Sequence, residues 1–518
     1  MNISKKHFLF LAAALGVITL YFVLRLTSIL SLPLFTDEAI YIRWAQIAKQ
    51  DASWRFISLV DGKQPSFVWI AMIMLKFFKE PLLAGRMVSV LAGVFTTIGL
   101  FFLGNEVFRK KQDKKIFSFT KETVMVGLLS SFLYVIYPFG LVYDRMAMYD
   151  SLVGAFAVWS LFLLFLLVRF RRLDLSLISG MVIGGGLLTK TSAFFSLGSM
   201  PFLFAIFDWS KKDLKGRITR FASLCIVTFV VANIIYAVLR LSPFFYVVAT
   251  KDALFVYPLR EWITHPLTYF SSNLNALIDW FVTYFSVPSI ILLILSFLIN
   301  RSHFFEKSVL VLWFIFPFTY LAFFGKLIYP RFILFMTLPL IPLLSYSIYN
   351  LLEKYKKRYV WVLILFFSFA VYIYVDIGIV YDFKSSHIPF ADKNQYINNW
   401  SAGNGVAQSV QFFTKQAENQ KIYIVTEGTF GLMPYGLEMY LVNNPNVKIE
   451  GLWPIKDIPP ANVVDMISKV PVYAIFYQPC PGCGGPGGNI PPLWHATKIA
   501  SYRQGISQSY YSIYKLLP

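Results

Sequence analysis

Thr36-Asp37-Glu38-Ala39-Ile40-Tyr41 follows directly on an apolar segment, Phe8–Leu30, that is long enough to cross a bilayer. Two adjacent carboxylates at the mouth of a membrane helix are costly unless they have a function. The structural alternative is helix capping, in which Thr36 or Asp37 caps a helix that runs through Ala48, but a cap needs only one of them. The pair therefore predicts a functional site immediately after a first membrane helix.

The composition of the whole chain is typical of a polytopic membrane protein. Its 518 residues are 57% hydrophobic and 14% charged, with a mean hydropathy of +0.61, values unlike those of soluble domains. The net charge of +20 could suggest a nucleic-acid partner, but the basic residues form short clusters between apolar segments. That arrangement indicates membrane topology rather than a phosphate-binding face, so no nucleic-acid partner is predicted.

Apolar windows of roughly 17–25 residues predict about eleven membrane helices. A further apolar run, Pro65–Phe78, is too short to span and is predicted to lie in the membrane interface. The eleven windows are 8–30, 84–106, 122–142, 151–169, 175–193, 194–208, 218–240, 281–300, 308–325, 332–350 and 359–380.

Basic clusters between these windows predict the orientation of the chain. When the chain is threaded through the eleven helices, every cluster falls on the same side, and positive residues stay cytoplasmic. The sequence thus predicts a multi-pass protein of the plasma membrane with a cytoplasmic N-terminus. The clusters are Lys5-Lys6, Arg109-Lys110-Lys111 with Lys114-Lys115, Arg169-Arg171-Arg172, Lys211-Lys212 with Lys215, Arg217 and Arg220, the weaker Arg301 with Lys307, and Lys354, Lys356, Lys357 and Arg358.

The composition changes after residue 380, where the long apolar windows stop and Asn, Gln, Gly and Pro increase. Gly405–Asn419 has helical spacing, while Lys421–Glu427 and Val472–Gln478 are predicted strands bounded by Pro and Gly. We therefore predict a transmembrane domain over 1–380 and a small extracytoplasmic α/β domain over 381–518.

Most of the unusual polar residues fall on the predicted outer side. Arginine and lysine there would hold a lipid-linked phosphate, and a carboxylate would serve as general base or metal ligand. Structural alternatives remain: Asp150 as a helix N-cap, mutual neutralisation of Asp144 and Arg145, and interfacial snorkelling of Lys190 and Arg331. The residues are Asp37, Glu38, Lys63, Asp144, Arg145, Asp150, Lys190, His265 and Arg331.

The cysteines do not favour a metal site or a redox site. Cys480-Pro481-Gly482-Cys483 has CxxC spacing but no second CxxC, so a local disulfide is favoured over a zinc site or a redox motif. Cys225 lies in a predicted membrane helix and is expected to be inert.

Several motifs resemble those of GT-C glycosyltransferases, in the branch that contains the protein O-mannosyltransferases and the aminoarabinose transferases. The Asp37-Glu38 pair is similar to the motif that this family carries just after its first helix. The resemblance covers residues 8–380, although Gln64 interrupts a Lys-Pro-Pro pattern and Phe332 stands for Tyr. The other matching segments are Gly62-Lys63-Gln64-Pro65, Ala84-Gly85-Arg86-Met87, Arg145-Met146-Ala147-Met148-Tyr149-Asp150, Gly185-Gly186-Leu187-Leu188-Thr189-Lys190 and Pro330-Arg331-Phe332.

The resemblance implies a GT-C fold and transfer of a sugar from a polyprenyl-phosphate carrier to a protein or glycan acceptor, with inversion at the anomeric carbon. It implies Asp37 as base, with Glu38 assisting or binding the acceptor. Metal dependence is left open, with Glu261 and His265 as conceivable ligands of a divalent cation. Asp144 or Asp150 would orient the acceptor or a metal, and Lys63, Arg145, Lys190 and Arg331 would bind the donor phosphate.

Two other function classes compete with this prediction. A lipid flippase or secondary carrier usually has paired repeats and charges near the bilayer midplane, whereas these charges lie at one surface and no repeat is obvious. A non-catalytic scaffold would bind the lipid-linked sugar without turnover. The one-sided charges favour an enzyme.

Overall fold

A computed structural model describes residues 5–110, 115–116, 118–209, 213–354, 359–478 and 487–518. Two compact units contain them: Met1–Thr27, Phe56–Phe67 and Arg86–Pro389 form the first, and Ser28–Arg55, Val68–Gly85 and Phe390–Pro518 form the second. These units divide the chain at other places than the composition change near residue 380, and the predicted domain boundary stays a prediction. Outside the described residues lie Lys111, Lys114, Lys211, Lys212, Lys356, Lys357, Arg358, Cys480 and Cys483.

The first unit is built from apolar helices, as expected where every backbone polar group must be satisfied within the helix. In the described part of the chain, five helices are long and apolar enough to cross a membrane singly, and each matches a predicted window. They are Phe8–Leu26 (within the helix Lys5–Leu26), Pro81–Val107, Tyr149–Phe170, Leu214–Leu241 and Phe304–Phe324.

Three more predicted windows contain pairs of helices that bend at a short break. Proline lies at each break, at Pro138, Pro288 and Pro339, where it cannot donate a helix hydrogen bond. The pairs are Lys121–Val135 with Pro138–Asp144 (60°), Phe270–Phe285 with Val287–Leu298 (91°), and Pro330–Thr337 with Leu340–Lys354 (51°).

The last three windows contain shorter apolar helices, Leu173–Leu187, Thr191–Ile206 and Phe369–Tyr381, the last within a helix that starts at Tyr359. Helix is therefore present in all eleven windows, while length and composition support at most eight spans among the described residues. Eleven crossings stay a prediction. The remaining helical segments of this unit are Ile57–Asp61, Val247–Phe255 and Leu259–Trp262, and Ser66–Phe77 runs from the first unit into the second.

The second unit contains a five-stranded sheet of the strands β3 (Ile422–Glu427), β4 (Val447–Leu452), β5 (Val472–Phe476), β6 (Ala496–Arg503) and β7 (Tyr510–Leu516), in the order β4-β3-β5-β7-β6. Strand β3 pairs parallel to β4 and β5, and β7 pairs antiparallel to β5 and β6. The two predicted strands correspond to β3 and β5, and both are wholly buried, as parallel strands usually are.

Residues of the first loop also belong to the second unit. Strand β1 (Leu34–Phe35) pairs with β2 (Ala402–Gly403), and the helix Thr36–Gln50 follows β1 directly. Arg43 Nε lies 2.7 Å from a Glu438 carboxylate oxygen, which fastens that helix to the helix Leu432–Leu441. The other helical segments of the unit are Ala52–Trp54, Phe390–Lys393, Asn394–Asn398, Val406–Asn419 and Ala461–Ile467.

Candidate active site

Asp150 and Lys190 meet in the first unit. Asp150 lies in the first turn of the helix Tyr149–Phe170, and Lys190 follows the helix Leu173–Leu187. Lys190 Nζ lies 2.8 Å from Asp150 Oδ1, and the side chains are 29% and 6% exposed. The pair is thus half-open, with the cation more accessible than its counter-ion.

Arg331 lies next to this pair through a shared aromatic ring. Lys190 Nζ is 4.6 Å from the ring centre of Phe332, and Arg331 Cζ is 5.8 Å from the same centre. Arg331 also lies 4.6 Å from the ring centre of Tyr329. Cations held against aromatic faces keep their charge while losing freedom, which suits them to bind a planar or tetrahedral anion.

Gln64, next to Lys63, is hydrogen-bonded to the residues next to Lys190 and Asp150. Gln64 Nε2 donates to Thr191 Oγ1 at 2.7 Å, and the Tyr149 hydroxyl donates to the Gln64 carbonyl at 2.8 Å. The neighbours of Lys63, Lys190 and Asp150 are therefore linked directly. The structure brings together four of the predicted residues: Lys63, Asp150, Lys190 and Arg331.

A second lysine, Lys251, was missed by the sequence analysis. Its Nζ lies 2.7 Å from Asp61 Oδ1, while Lys63 Nζ lies 3.6 Å from Asp61 Oδ2. Gly62 between them has φ +68°, and a Cβ on it would lie 2.5 Å from Lys251 Cβ, so only glycine fits this close approach.

Asp252 is the other residue that the sequence analysis missed. Burial raises its pKa, and a hydrogen bond to Thr191 and the charge of Lys190 oppose that shift. The signal was present as an adjacent Lys251-Asp252 pair within an otherwise apolar helix, Val247–Phe255. We call Lys63, Lys190, Lys251 and Arg331, with the acids Asp61, Asp150 and Asp252, the cation cluster.

Asp144 lies elsewhere in the first unit, in a wholly buried network. Arg25 Nε is 3.2 Å from Asp144 Oδ2, with both side chains at 0% exposure. The hydroxyls of Tyr21 and Tyr134 donate to the same carboxylate at 3.1 and 3.0 Å. These contacts supply hydrogen-bond and charge partners for the buried Asp144 carboxylate, and its role at the site stays a prediction.

Arg145 contacts the end of the first helix. Its Nη1 donates to the carbonyls of Leu24 and Thr27 at 2.8 and 2.7 Å. Burial lowers the pKa of Arg145 to about 10, with further lowering by the charges of Arg86 and Arg25.

Asp37 and Glu38 open the helix Thr36–Gln50 in the second unit. Glu38 is wholly buried, and its Oε2 accepts the Phe35 N–H at 3.0 Å. Capping is therefore performed by Glu38 reaching back from the third helical position. Asp37 is only partly buried, and the cap does not depend on it.

Glu261 lies in the short helix Leu259–Trp262, and His265 follows that helix. Glu261 Oε1 lies 3.5 Å from Lys326 Nζ, and the His265 ring contacts the Thr264 hydroxyl at 3.2 Å. The described residues include no group of three or more His, Cys, Asp or Glu that could hold a metal ion. These contacts do not make a ligand set, and the metal role of Glu261 and His265 stays a prediction.

Residues 63–236 match a family model described as dolichyl-phosphate-mannose-protein mannosyltransferase. Among solved structures, the chain is similar to ArnT from Cupriavidus metallidurans bound to undecaprenyl phosphate, with a TM-score of 0.56 and 13% identity over 99% of this chain and 98% of that chain. It is also similar to the archaeal oligosaccharyltransferase AglB from Archaeoglobus fulgidus, in complex with an inhibitory peptide and a dolichol-phosphate, with a TM-score of 0.54 and 13% identity over 91% of this chain and 70% of that chain.

No curated protein matches the chain significantly. At 13% identity the structural similarities establish the fold alone. The resemblance to GT-C glycosyltransferases is confirmed by the family match together with these folds. The chain is thus a multi-pass membrane protein of the GT-C fold, and the comparisons point to a glycosyltransferase.

Proposed function

We propose that this protein transfers a sugar from a polyprenyl-phosphate carrier to an acceptor at the outer face of the membrane, with inversion at the anomeric carbon. The family match and the fold support lipid-phosphate-linked glycosyl transfer. The observation that carries the proposal is the half-open Lys190–Asp150 pair with Arg331 beside it. We further propose a cytoplasmic N-terminus and an extracytoplasmic 381–518 region.

The cation cluster binds the donor phosphate in this proposal. A phosphodiester oxygen takes over part of the contact that Lys190 makes with Asp150, while Arg331 offers a planar fork of donors. Lys63 and Lys251, which share the Asp61 carboxylate, add positive charge. As the bond from the anomeric carbon to the phosphate breaks, these cations stabilise the charge that develops on the departing polyprenyl phosphate.

Asp37 acts as the general base. It accepts the proton of the acceptor hydroxyl or amine as that group forms its bond to the anomeric carbon and the phosphate bond breaks from the opposite side. Glu38 holds the start of the helix through its bond to Phe35 and so positions Asp37. Asp144 and Arg145, which the resemblance also assigns to the site, act in this proposal through the packing of the first helix.

The base assignment is tested with Asp37→Asn in the full chain, reconstituted in nanodiscs with a radiolabelled polyprenyl-phosphate sugar and an envelope-glycan acceptor. We expect turnover to fall about 10²- to 10⁴-fold, with donor affinity and melting temperature unchanged. Asp51→Asn at the other end of the same helix is the matched control and should keep wild-type turnover. Unchanged turnover in Asp37→Asn would show that another group is the base. In proteoliposomes, which separate the two leaflets, lipid crossing between leaflets without sugar release would indicate a flippase.

A further inference from the structure

Two segments of the second unit enclose the residue that precedes Asp37. The Ser401 carbonyl accepts from both the N–H and the hydroxyl of Thr36, at 3.0 and 2.9 Å. From the other segment, a Cβ on Gly431 would lie 3.5 Å from the Thr36 methyl carbon. The residue before each contact is a large exposed aromatic: Trp400 is 37% exposed and Phe430 is 44% exposed.

The same two segments meet at the carboxyl ends of β3 and β5. Glu427 Oε2 accepts from the backbone N–H groups of Tyr477 and Gln478, both at 2.8 Å. The rings of Trp400 and Tyr477 are 6.5 Å apart, and a Cβ on Gly428 would lie 3.4 Å from Gln478 Nε2. A closed ring of contacts therefore joins Thr36, the segment that contains Trp400, the carboxyl ends of β3 and β5, and the segment that contains Phe430.

The sheet topology makes this edge a favourable place for a ligand. The connection from β3 leads to β4 on one side, and the connection from β4 leads to β5 on the other side of β3. Such a reversal leaves a crevice outside the carboxyl ends of the strands, and open α/β sheets bind their ligands there.

The described residues of the two segments and of the β5 end that are exposed here, at 399–400, 429–430 and 478, are uncharged. Two aromatic rings, from Trp400 and Phe430, stand with the side chains of Asn399, Thr429 and Gln478, all of them at least partly exposed. Glu427, at the carboxyl end of β3, is buried and accepts hydrogen bonds from two backbone N–H groups. Aromatic faces with neutral amide and hydroxyl groups suit an uncharged ligand that has apolar ring faces and many hydroxyls.

We propose that this surface, formed by Asn399, Trp400, Thr429, Phe430 and Gln478 and here called the aromatic rim, binds the acceptor, and that the acceptor is a neutral saccharide. Sugar rings stack on Trp400 and Phe430, and their hydroxyls bond to the amides. The contacts of Thr36 place the rim around the start of the helix that carries Asp37. The inference rests on the proposed function, because it takes Asp37 as the base that serves this acceptor.

Binding to the full chain in nanodiscs tests the rim without turnover. The probes are neutral hexasaccharides of mannose, glucose and N-acetylglucosamine, and an uncharged peptide rich in Ser and Thr. We expect at least one hexasaccharide to bind, and Trp400→Ala and Phe430→Ala each to weaken that binding about tenfold. Trp54→Ala is the matched control, because Trp54 is 43% exposed in the same unit but lies beyond the far end of the helix Thr36–Gln50.

The rim proposal would be overturned if no hexasaccharide binds, whether or not the peptide does. Equal saccharide affinity in wild type and both rim variants would do the same. The outcome is separable from that of the proposed function. Asp37→Asn should keep full saccharide affinity, so a failed base assignment leaves rim binding intact, and a failed rim leaves the turnover loss of Asp37→Asn intact.

Discussion

The short stretch from Asp144 to Asp150 contributes the acids of two ion pairs, which differ in how accessible the cation is to solvent. Asp144 and Arg25 are both wholly buried, and two tyrosine hydroxyls complete the contacts of the carboxylate. Asp150 is nearly buried too, but its partner Lys190 keeps 29% of its side chain exposed. The comparison teaches that the partner decides the role of each acid, because only an accessible cation can exchange its carboxylate for a phosphate.

Energetics separate the pairs in the same way. A buried charge that loses its partner is strongly destabilising, since the remaining ion has no water to solvate it. A half-exposed pair contributes less to folding, because water competes for both ions. The Arg25–Asp144 pair should therefore control stability, and the Asp150–Lys190 pair should control donor binding.

The largest effect is expected for Arg25→Met, which leaves the Asp144 carboxylate buried without its cation. We expect the free energy of unfolding to fall by roughly 3 kcal/mol or more, seen as a lower melting temperature and poor recovery of monodisperse protein. Thermal unfolding in detergent measures the change, and Lys190→Met is the comparison variant. The division of roles would be wrong if Lys190→Met destabilised the protein as much as Arg25→Met.

A smaller effect, confined to the donor, is expected for Lys190→Met. Loss of one charge-assisted contact to phosphate should weaken donor affinity about 10- to 100-fold, with little change in melting temperature. The donor KM and direct binding of polyprenyl phosphate measure it.

Lys326→Met is the matched control for this variant. Lys326 also pairs with an acid, Glu261 at 3.5 Å, and also lies over an aromatic ring, that of Tyr257 at 5.1 Å. Equal donor affinities in the two variants would remove Lys190 from the phosphate site.

Local patterns in the sequence predicted the helices and strands well, but not which side chains contact one another. Apolar length located helix in every window, and the strands Ile422–Glu427 and Val472–Phe476 followed from their buried apolar runs. The bends at Pro138, Pro288 and Pro339 divide three of the at most eight spans that length and composition support among the described residues, and short helices in three other windows account for the difference from eleven. Proline inside a long apolar window was the signal for those bends.

The two acids of the Asp144–Asp150 stretch could not be told apart from sequence, because their partners are distant in the chain. Arg25 lies at the end of the first helix, whereas Lys190 lies beyond a later one. Asp252 was missed for the same reason, because Thr191, with which it shares a hydrogen bond, is distant from it in the chain. Side-chain burial depends on such packing, which no local pattern encodes.

The smallest effect is expected from Asp252 and concerns the pH dependence of donor binding. Burial raises the pKa of Asp252, so it loses its negative charge at higher pH than an ordinary aspartate. Above that pKa its charge competes with the donor phosphate for Lys190, and below that pKa the competition ends. Because a phosphodiester keeps one negative charge throughout, donor affinity should rise about threefold as the pH falls through the raised pKa.

Asp252→Asn separates this effect from other titrations at the cation cluster. The variant should bind donor at neutral pH as wild type does at acid pH, and its profile of donor KM against pH should be flatter. Asp382→Asn is the control, because Asp382 is exposed and a hydrogen bond to Ser385 lowers its pKa. A profile that stays steep in Asp252→Asn would show that Asp252 is not the source of the pH dependence, and that its charge does not compete with the donor phosphate for Lys190.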